Sequence, residues 1–116
     1  MVRKVLKSFI YASRGVSYAF NTQINFKVHS LAIIIAIVAG FFADLNTLEW
    51  IAIITVIGVV LVAELFNTSI EVLVDLVSPE FNKRAGIVKD LAAGAVFVAA
   101  LLAVIIGLLI FVPKFI

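Results

Sequence analysis

The chain contains no cysteine, only two prolines and few charged residues among its 116 positions. Without cysteine it can form neither a disulfide nor a thiolate metal site. Charged residues make up 14% of the chain and hydrophobic residues 65%, whereas soluble domains carry roughly 25% charged residues. A soluble fold of this size has no interior large enough for so much apolar surface. The composition therefore predicts an integral membrane protein, and the net charge of +2 gives no reason to expect a nucleic-acid partner.

Three stretches are apolar enough to cross a bilayer, which requires roughly 20 residues for about 30 Å of hydrocarbon. They run over residues 28–43, 48–66 and 91–112. The leader, residues 1–25, has apolar side chains at helical spacing and a separate polar stripe, which is typical of an amphipathic helix on a membrane surface. We therefore predict an all-α integral membrane fold, a single domain over residues 1–116, with one surface helix and three transmembrane helices.

The basic residues predict the orientation of these spans. Most of the nine Lys and Arg residues lie in the leader or between the second and third spans, while the loop "DLNTLE" between the first two spans has none. Loops on the cytoplasmic side of a membrane are enriched in Lys and Arg. The pattern predicts a multi-pass protein of the cell membrane, with its N-terminus and second loop in the cytoplasm.

The second span ends in "ELFNTSIEVLVD", residues 64–75, where four polar side chains are concentrated. These are Glu64, Asn67, Glu71 and Asp75. At about 100° per residue they fall within a helical stripe about 90° wide. Such a stripe would be costly against lipid, so it is expected to face protein or water. A rise of roughly 1.5 Å per residue places Glu64 just inside the hydrocarbon and Glu71 among the headgroups.

This arrangement suits phosphoryl transfer to a lipid alcohol. A buried Glu64 can act as a general base toward a hydroxyl delivered from the bilayer. A second carboxylate nearer the cytosol can hold Mg²⁺, which takes one or two carboxylates together with phosphate oxygens. Lysines at the same depth can neutralise a polyphosphate. The chain has no Walker-type glycine loop, so a nucleotide site here would be of another kind. For Asp75 alone, a solvated helix end is the favoured interpretation.

The segment "AELFNTSIEVLVDLVSPEFNKRAGIVKDLAAGAV" resembles the signature of the small prokaryotic diacylglycerol kinases, whose Gram-positive members act as undecaprenol kinases. The matching positions are Glu64, Asn67, Thr68, Ile70, Glu71, Asp75, Lys89 and Asp90. The likeness extends upstream through "YAFNTQINFKVH" and covers nearly the whole chain. It implies a homotrimer of three-span subunits that share their active sites and transfer the γ-phosphate of ATP to a lipid hydroxyl.

The resemblance also implies a role for each matching residue. Glu64 would be the base, Asn67 would orient the same centre, and Glu71 would hold the Mg²⁺ bound to ATP. Nucleotide contacts are implied for Lys4, Tyr11, Glu71, Glu80, Phe81, Asn82, Lys89 and Asp90. Gln23 stands where the family commonly has a second metal-binding glutamate, so it is retained as a metal-site position that offers an oxygen but no charge. Asn82 stands where the family often has histidine.

Alternative substrates and functions stay open at this point. Undecaprenol is favoured over diacylglycerol, because "SPEF" and the ending "GLLIFVPKFI" look closer to the Gram-positive type. A proton-coupled transporter subunit using Glu64 and Asp90 as a relay is the alternative from another class, and a non-catalytic membrane scaffold is a third. A transporter should carry ionisable groups near the bilayer midplane, which spans one and three lack. His29, the only histidine, is interpreted as an interfacial polar residue.

Overall fold

The chain is entirely helical in the computed structural model, which describes residues 1–116. Its four helices are α1 (Val2–Thr22), α2 (Ile24–Phe42), α3 (Thr47–Val77) and α4 (Lys83–Phe115). The last three are long and apolar enough to cross a membrane. The prediction of an all-α membrane fold with an N-terminal helix and three spans is therefore confirmed.

The leader helix α1 and the first span α2 are separated by a single residue. Gln23 has extended backbone angles of φ −110° and ψ 113°, so it ends α1 and begins α2. The two helices contact each other through Phe20 and Phe26, whose rings meet edge to face at 6.5 Å between centroids. Ala19 is buried at the same corner. This sharp break lets an amphipathic helix turn directly into a spanning helix.

The turn between α2 and α3 is tightly packed around Trp50. Asp44 adopts a positive φ of 54°, and Asn46 caps α3 in a reciprocal capping box with Glu49. Gly40 is buried beneath the indole, and a Cβ atom on Gly40 would lie only 2.6 Å from Trp50 Cη2. Glycine is therefore required here, because no other residue allows α2 and the Trp50 ring to approach so closely.

Helices α3 and α4 form the main packing interface of the chain. Their buried apolar residues recur at helical spacing: Ile53, Val56 and Val60 in α3, and Ala92, Val96 and Ala99 in α4. Lys114 Nζ lies 3.1 Å from Glu49 Oε1, which ties the last turn of α4 to the first turn of α3. Only 13 of the 116 residues are buried, so most of the apolar surface is left for lipid or for other subunits.

The helices are longer than the spans expected from hydropathy. With 31 residues, α3 is roughly 46 Å long, which exceeds the roughly 30 Å thickness of the hydrocarbon core. Residues 28–43, 48–66 and 91–112 each fall within or next to one of the three spanning helices, and these span limits, like the 1–25 leader, stay predictions. The excess length carries the polar end of α3 toward the membrane surface.

Candidate functional site

The buried face of α3 changes from apolar to polar along its length. After Val60 the next buried residues are Glu64, Asn67 and Thr68, which are 1%, 7% and 5% exposed. They continue the same helical spacing as the apolar core residues before them. The first two residues of the predicted polar stripe, Glu64 and Asn67, therefore lie on the packed side of the helix, whereas Asp75 at its other end is exposed. Its most buried member is Glu64, a carboxylate enclosed at the level where α2 and α3 meet.

Glu64 lies against the only histidine of the chain. His29 Nε2 of α2 is 3.0 Å from Glu64 Oε1, and the two side chains are 24% and 2% exposed. Although this distance is short enough for a hydrogen bond, Oε1 has no partner in hydrogen-bonding alignment. The pair is thus in close contact without being aligned. Sequence reasoning missed this contact when it interpreted His29 as an interfacial polar residue.

Asn67 and Glu71 form the next level of the stripe. Asn67 Nδ2 donates a hydrogen bond of 3.0 Å to Glu71 Oε1, one helical turn closer to the end of α3. Asn67 Oδ1 is buried and has no partner. Thr68 uses its hydroxyl to donate to the backbone carbonyl of Glu64. Buried amide oxygens are normally hydrogen-bonded, so the Asn67 oxygen is available to a ligand.

At the start of α4, Lys89 contacts Asp75 of α3. Lys89 Nζ donates to Asp75 Oδ1 between side chains that are 41% and 66% exposed. This ion pair ties the two helices together beyond the buried stripe. Asp90 is exposed on α4 beside it. The two helices therefore bring Lys89 to the polar end of α3, whereas Asp90 lies on a face of α4 with Ile87 and Leu91; the nucleotide contacts of both residues stay predictions.

The short loop between α3 and α4 holds three further predicted nucleotide contacts. Glu80 is exposed, and Phe81 is 98% exposed with its ring unpacked. The Asn82 side chain accepts hydrogen bonds from the backbone amides of Arg84 and Ala85 and so caps α4. Asn82 thus has a structural partner in the chain, in addition to the nucleotide contact predicted for it.

The predicted contributions of the leader lie apart from one another. Lys4 and Tyr11 are exposed on α1, and the Arg14 guanidinium lies 5.9 Å from the centroid of the Tyr11 ring. Gln23 is half-buried at the break between α1 and α2. No group of three or more His, Asp or Glu side chains comes close enough to hold a metal ion. Within one chain, Glu64, Asn67 and Glu71 share a face of α3, and the metal role of Gln23 stays a prediction.

Two clefts flank the polar stripe. One lies between α1 and α3, with a volume of about 560 Å³, and is lined in part by Gly15, Thr68 and Ser69. The other cleft, of about 380 Å³, lies between α2, α3 and α4. Twelve of its fourteen lining residues are hydrophobic, and His29 is one of the two that are not. The second cleft connects the apolar faces of the spans with the histidine that contacts Glu64.

Comparison with known proteins identifies the class to which this arrangement belongs. The family model for prokaryotic diacylglycerol kinase matches residues 10–111. The undecaprenol kinase of Bacillus subtilis is 42% identical over 113 residues, which cover 97% of this chain and 92% of that protein. The diacylglycerol kinase of Escherichia coli is 26% identical over 102 residues, covering 88% of this chain and 84% of that protein.

A third relative, the diacylglycerol kinase of Synechocystis, is 41% identical over 110 residues; these cover 94% of this chain but only 63% of the relative. The matches and the three apolar helices together define a multi-pass membrane lipid kinase. The chain belongs to the prokaryotic diacylglycerol kinase family. The expectation of an enzyme of this family, rather than a transporter or a scaffold, is confirmed.

Proposed function

We propose that the protein transfers the γ-phosphate of ATP to the hydroxyl of undecaprenol, with Mg²⁺ as the cofactor. The choice of undecaprenol is supported by the 42% identity to the Bacillus subtilis undecaprenol kinase. Diacylglycerol is the second candidate, supported by the 41% identity to the Synechocystis diacylglycerol kinase. Both candidates are lipid alcohols whose hydroxyl lies near the membrane surface, so the same site chemistry serves either one.

The observation that carries this proposal is the burial of Glu64 at the end of an apolar helix face. A carboxylate that is 1% exposed and lies beside a cleft lined mainly by hydrophobic residues is suited to meet an acceptor that arrives from lipid. Its role is that of a general base. Asn67 lies one turn further, and its free amide oxygen is suited to orient the same hydroxyl or phosphate group.

The reaction is a single displacement in this scheme. Glu64 takes the proton of the lipid hydroxyl, and the lipid oxygen forms a bond to the γ-phosphorus. The bond from that phosphorus to the β,γ-bridging oxygen breaks, and ADP leaves with the electron pair. The main tasks of the protein are to hold acceptor and donor in line and to exclude water from the buried end of the stripe.

The donor set near Glu71 fits a Mg²⁺ ion that arrives with nucleotide. Glu71 has one oxygen occupied by Asn67, and the buried Asn67 Oδ1 has no partner. Mg²⁺ is usually held by one or two carboxylates, water and phosphate oxygens rather than by a full protein cage, which agrees with the lack of a larger acidic cluster. When bound, the ion would neutralise charge on the phosphates. Gln23 is the proposed second position and would contribute a neutral oxygen.

The remaining nucleotide contacts are proposed at the ends of the helices. Lys89 is suited to the phosphates because it lies in the second turn of α4 and contacts Asp75 at the end of the stripe, and Asp90, the next residue, is proposed for the base or sugar. The loop and the leader would supply the other contacts, from Lys4, Tyr11, Glu80, Phe81 and Asn82. Phe81 is 98% exposed, so its ring is free to stack on a nucleotide base.

A homotrimer with shared sites is part of the proposal. Because 103 of the 116 residues (116 − 13) are not buried within one chain, the spans have ample apolar surface for neighbouring subunits. A neighbouring subunit would complete the nucleotide contacts proposed for the leader and the loop. We place the N-terminus and the α3–α4 loop in the cytoplasm, where ATP is present, since this agrees with the basic residues in both segments.

A phosphate-transfer assay tests this function. The purified protein, in micelles containing both undecaprenol and diacylglycerol, is supplied with radiolabelled ATP and Mg²⁺, and the labelled lipids are separated. We expect label predominantly in undecaprenyl phosphate, and none when Mg²⁺ is chelated. Preferential labelling of diacylglycerol would reverse the choice of substrate. The absence of label in either lipid, with folded protein present, would refute the proposed function.

A further inference from the structure

His29 is the one polar side chain from another helix that contacts the carboxylate of Glu64. Its Nε2 lies 3.0 Å from Glu64 Oε1 across the α2–α3 interface. The other polar neighbours, Asn67 and Thr68, make their recorded hydrogen bonds to Glu71 and to the backbone of Glu64 instead. The His29 imidazole is therefore the side chain placed closest to act on the orientation of the Glu64 carboxylate.

The position of His29 connects Glu64 with the apolar cleft. The imidazole lines the cleft between α2, α3 and α4, and it is only partly exposed, with a relative side-chain exposure of 24%. Glu64 itself does not line this cleft, and His29 is the lining residue whose polar atom contacts its carboxylate. His29 thus lies beside both the carboxylate and the path by which a lipid alcohol would reach it.

We propose that His29 is a positioning residue for Glu64: its Nε2–H donates to Oε1 and holds the carboxylate so that the other oxygen faces the acceptor hydroxyl. This inference rests on the proposed function, in which Glu64 is the base. In the free protein the contact is close but unaligned. Catalytic hydrogen bonds are often poorly aligned without substrate and tighten in the substrate complex.

A structural role for the pair would have different consequences. If His29 only satisfied a buried carboxylate, its loss would lower the stability of the protein. It would then affect the KM for ATP and kcat alike, with no selective effect on kcat. If His29 instead positions Glu64, the loss of His29 must lower kcat, and it must do so only while the Glu64 carboxylate is present. A positioning role also requires that a side chain with an N–H donor at the same reach restore most of the activity.

The kinetic test compares three variants with the wild-type protein in the same micelles. His29→Leu removes the donor and is expected to lower kcat about 10- to 100-fold with an unchanged KM for ATP. His29→Gln keeps an N–H donor at a similar reach and is expected to retain most of kcat. Ser30→Ala is the matched control on α2, since the Ser30 hydroxyl bonds only to the Phe26 carbonyl, and it is expected to leave kcat unchanged.

The coupling between the two residues is tested in a Glu64→Gln background. There His29→Leu is expected to cause no further loss of the residual rate, because the carboxylate that it positions is already gone. An additional loss of the same size in that background would overturn the proposal. Wild-type kcat in His29→Leu, or equal defects in His29→Leu and His29→Gln, would also overturn it. An inactive wild-type protein would instead refute the proposed function itself.

A second readout does not depend on activity. Because the chain has a single histidine, protein labelled with ¹⁵N at histidine gives the ring nitrogens of His29 alone in an NMR spectrum. We expect the hydrogen to reside on Nε2 in the wild-type protein and the Nε2 resonance to move in Glu64→Met, which removes the acceptor. Identical His29 ring signals in the two proteins would show that the contact is absent and would overturn the proposal.

Discussion

Replacing Glu64 with methionine should make the protein inactive but more stable. Glu64 is 1% exposed, and its Oε1 lacks an aligned hydrogen bond, so folding leaves a buried acceptor unsatisfied at a cost of about 1–3 kcal/mol. Methionine has a similar length and no polar atom to desolvate. The variant loses the contact with His29, but this imidazole is partly exposed and can bond to water instead. We expect a net gain of about 1–2 kcal/mol in unfolding free energy.

The assay is the thermal unfolding midpoint in detergent, measured alongside lipid phosphorylation. Glu49→Met is the matched control, since it changes the same residue type at the other end of α3, roughly 22 Å away along the helix axis. Glu49 accepts from the Asn46 backbone at 3.0 Å and lies 3.1 Å from Lys114, so its loss should lower stability and leave kinase activity intact. A Glu64→Met protein destabilised as much as Glu49→Met would mean that Glu64 acts as a structural lock between helices, and the reasoning would be wrong.

Two smaller changes test the polar and apolar ends of the molecule separately. Asp75→Asn removes the partner that holds the Lys89 side chain in an exposed ion pair, so it should lower stability by less than about 1 kcal/mol. Because Lys89 would no longer be held in place for the phosphates, the KM for ATP should rise several-fold, as measured by initial rates at varied ATP. An unchanged KM would argue against a nucleotide role for Lys89. Gly40→Ala forces a Cβ to 2.6 Å from the Trp50 ring and should lower stability by about 1–2 kcal/mol, measured by thermal unfolding. Gly86→Ala, where a Cβ meets nothing within 4 Å, is its control and should not lower stability.

The helical architecture could be predicted because hydropathy and helical periodicity are local properties of the chain. The three apolar stretches and the amphipathic leader each correspond to a helix. The limits of the helices were harder to predict from the sequence. Helix α3 continues to Val77 and α4 begins at Lys83, well beyond the apolar segments 48–66 and 91–112. Hydropathy indicates which part of a helix lies in hydrocarbon, whereas hydrogen bonding and capping determine its two limits. Capping by Asn82, for example, sets the residue at which α4 begins.

The candidate site was predictable where it lies on one helix and less so where it joins two. Glu64, Asn67 and Glu71 share a face of α3 by their spacing alone. His29 belongs to α2, and nothing in its own segment indicates that it contacts Glu64. One signal was available: His29 enters the first span at the same membrane end as the polar stripe, so the depth count used for Glu64 would also have placed the two side chains at a similar level.

The roles proposed for the loop and leader depend on contacts that one chain does not contain. Asn82 illustrates the difficulty, because the residue before a helix is a preferred capping position and its side chain does cap α4. Likewise Gln23 ends α1 and begins α2 by its extended backbone, so it has a structural role apart from the metal role predicted for it. Sequence spacing identifies such residues, while their approach to nucleotide would, under the proposed function, depend on the proposed subunit arrangement.

The central claim is that Glu64 is the base for phosphate transfer from ATP to a lipid alcohol. The most direct test measures transfer of the labelled γ-phosphate to undecaprenol by the wild-type protein and by Glu64→Gln, at equal amounts of folded protein and saturating ATP and Mg²⁺. We predict that the wild-type protein forms undecaprenyl phosphate and that the variant is slower by a factor of about 10² to 10⁴, with its oligomeric state unchanged. A variant that retains the wild-type rate would contradict the account.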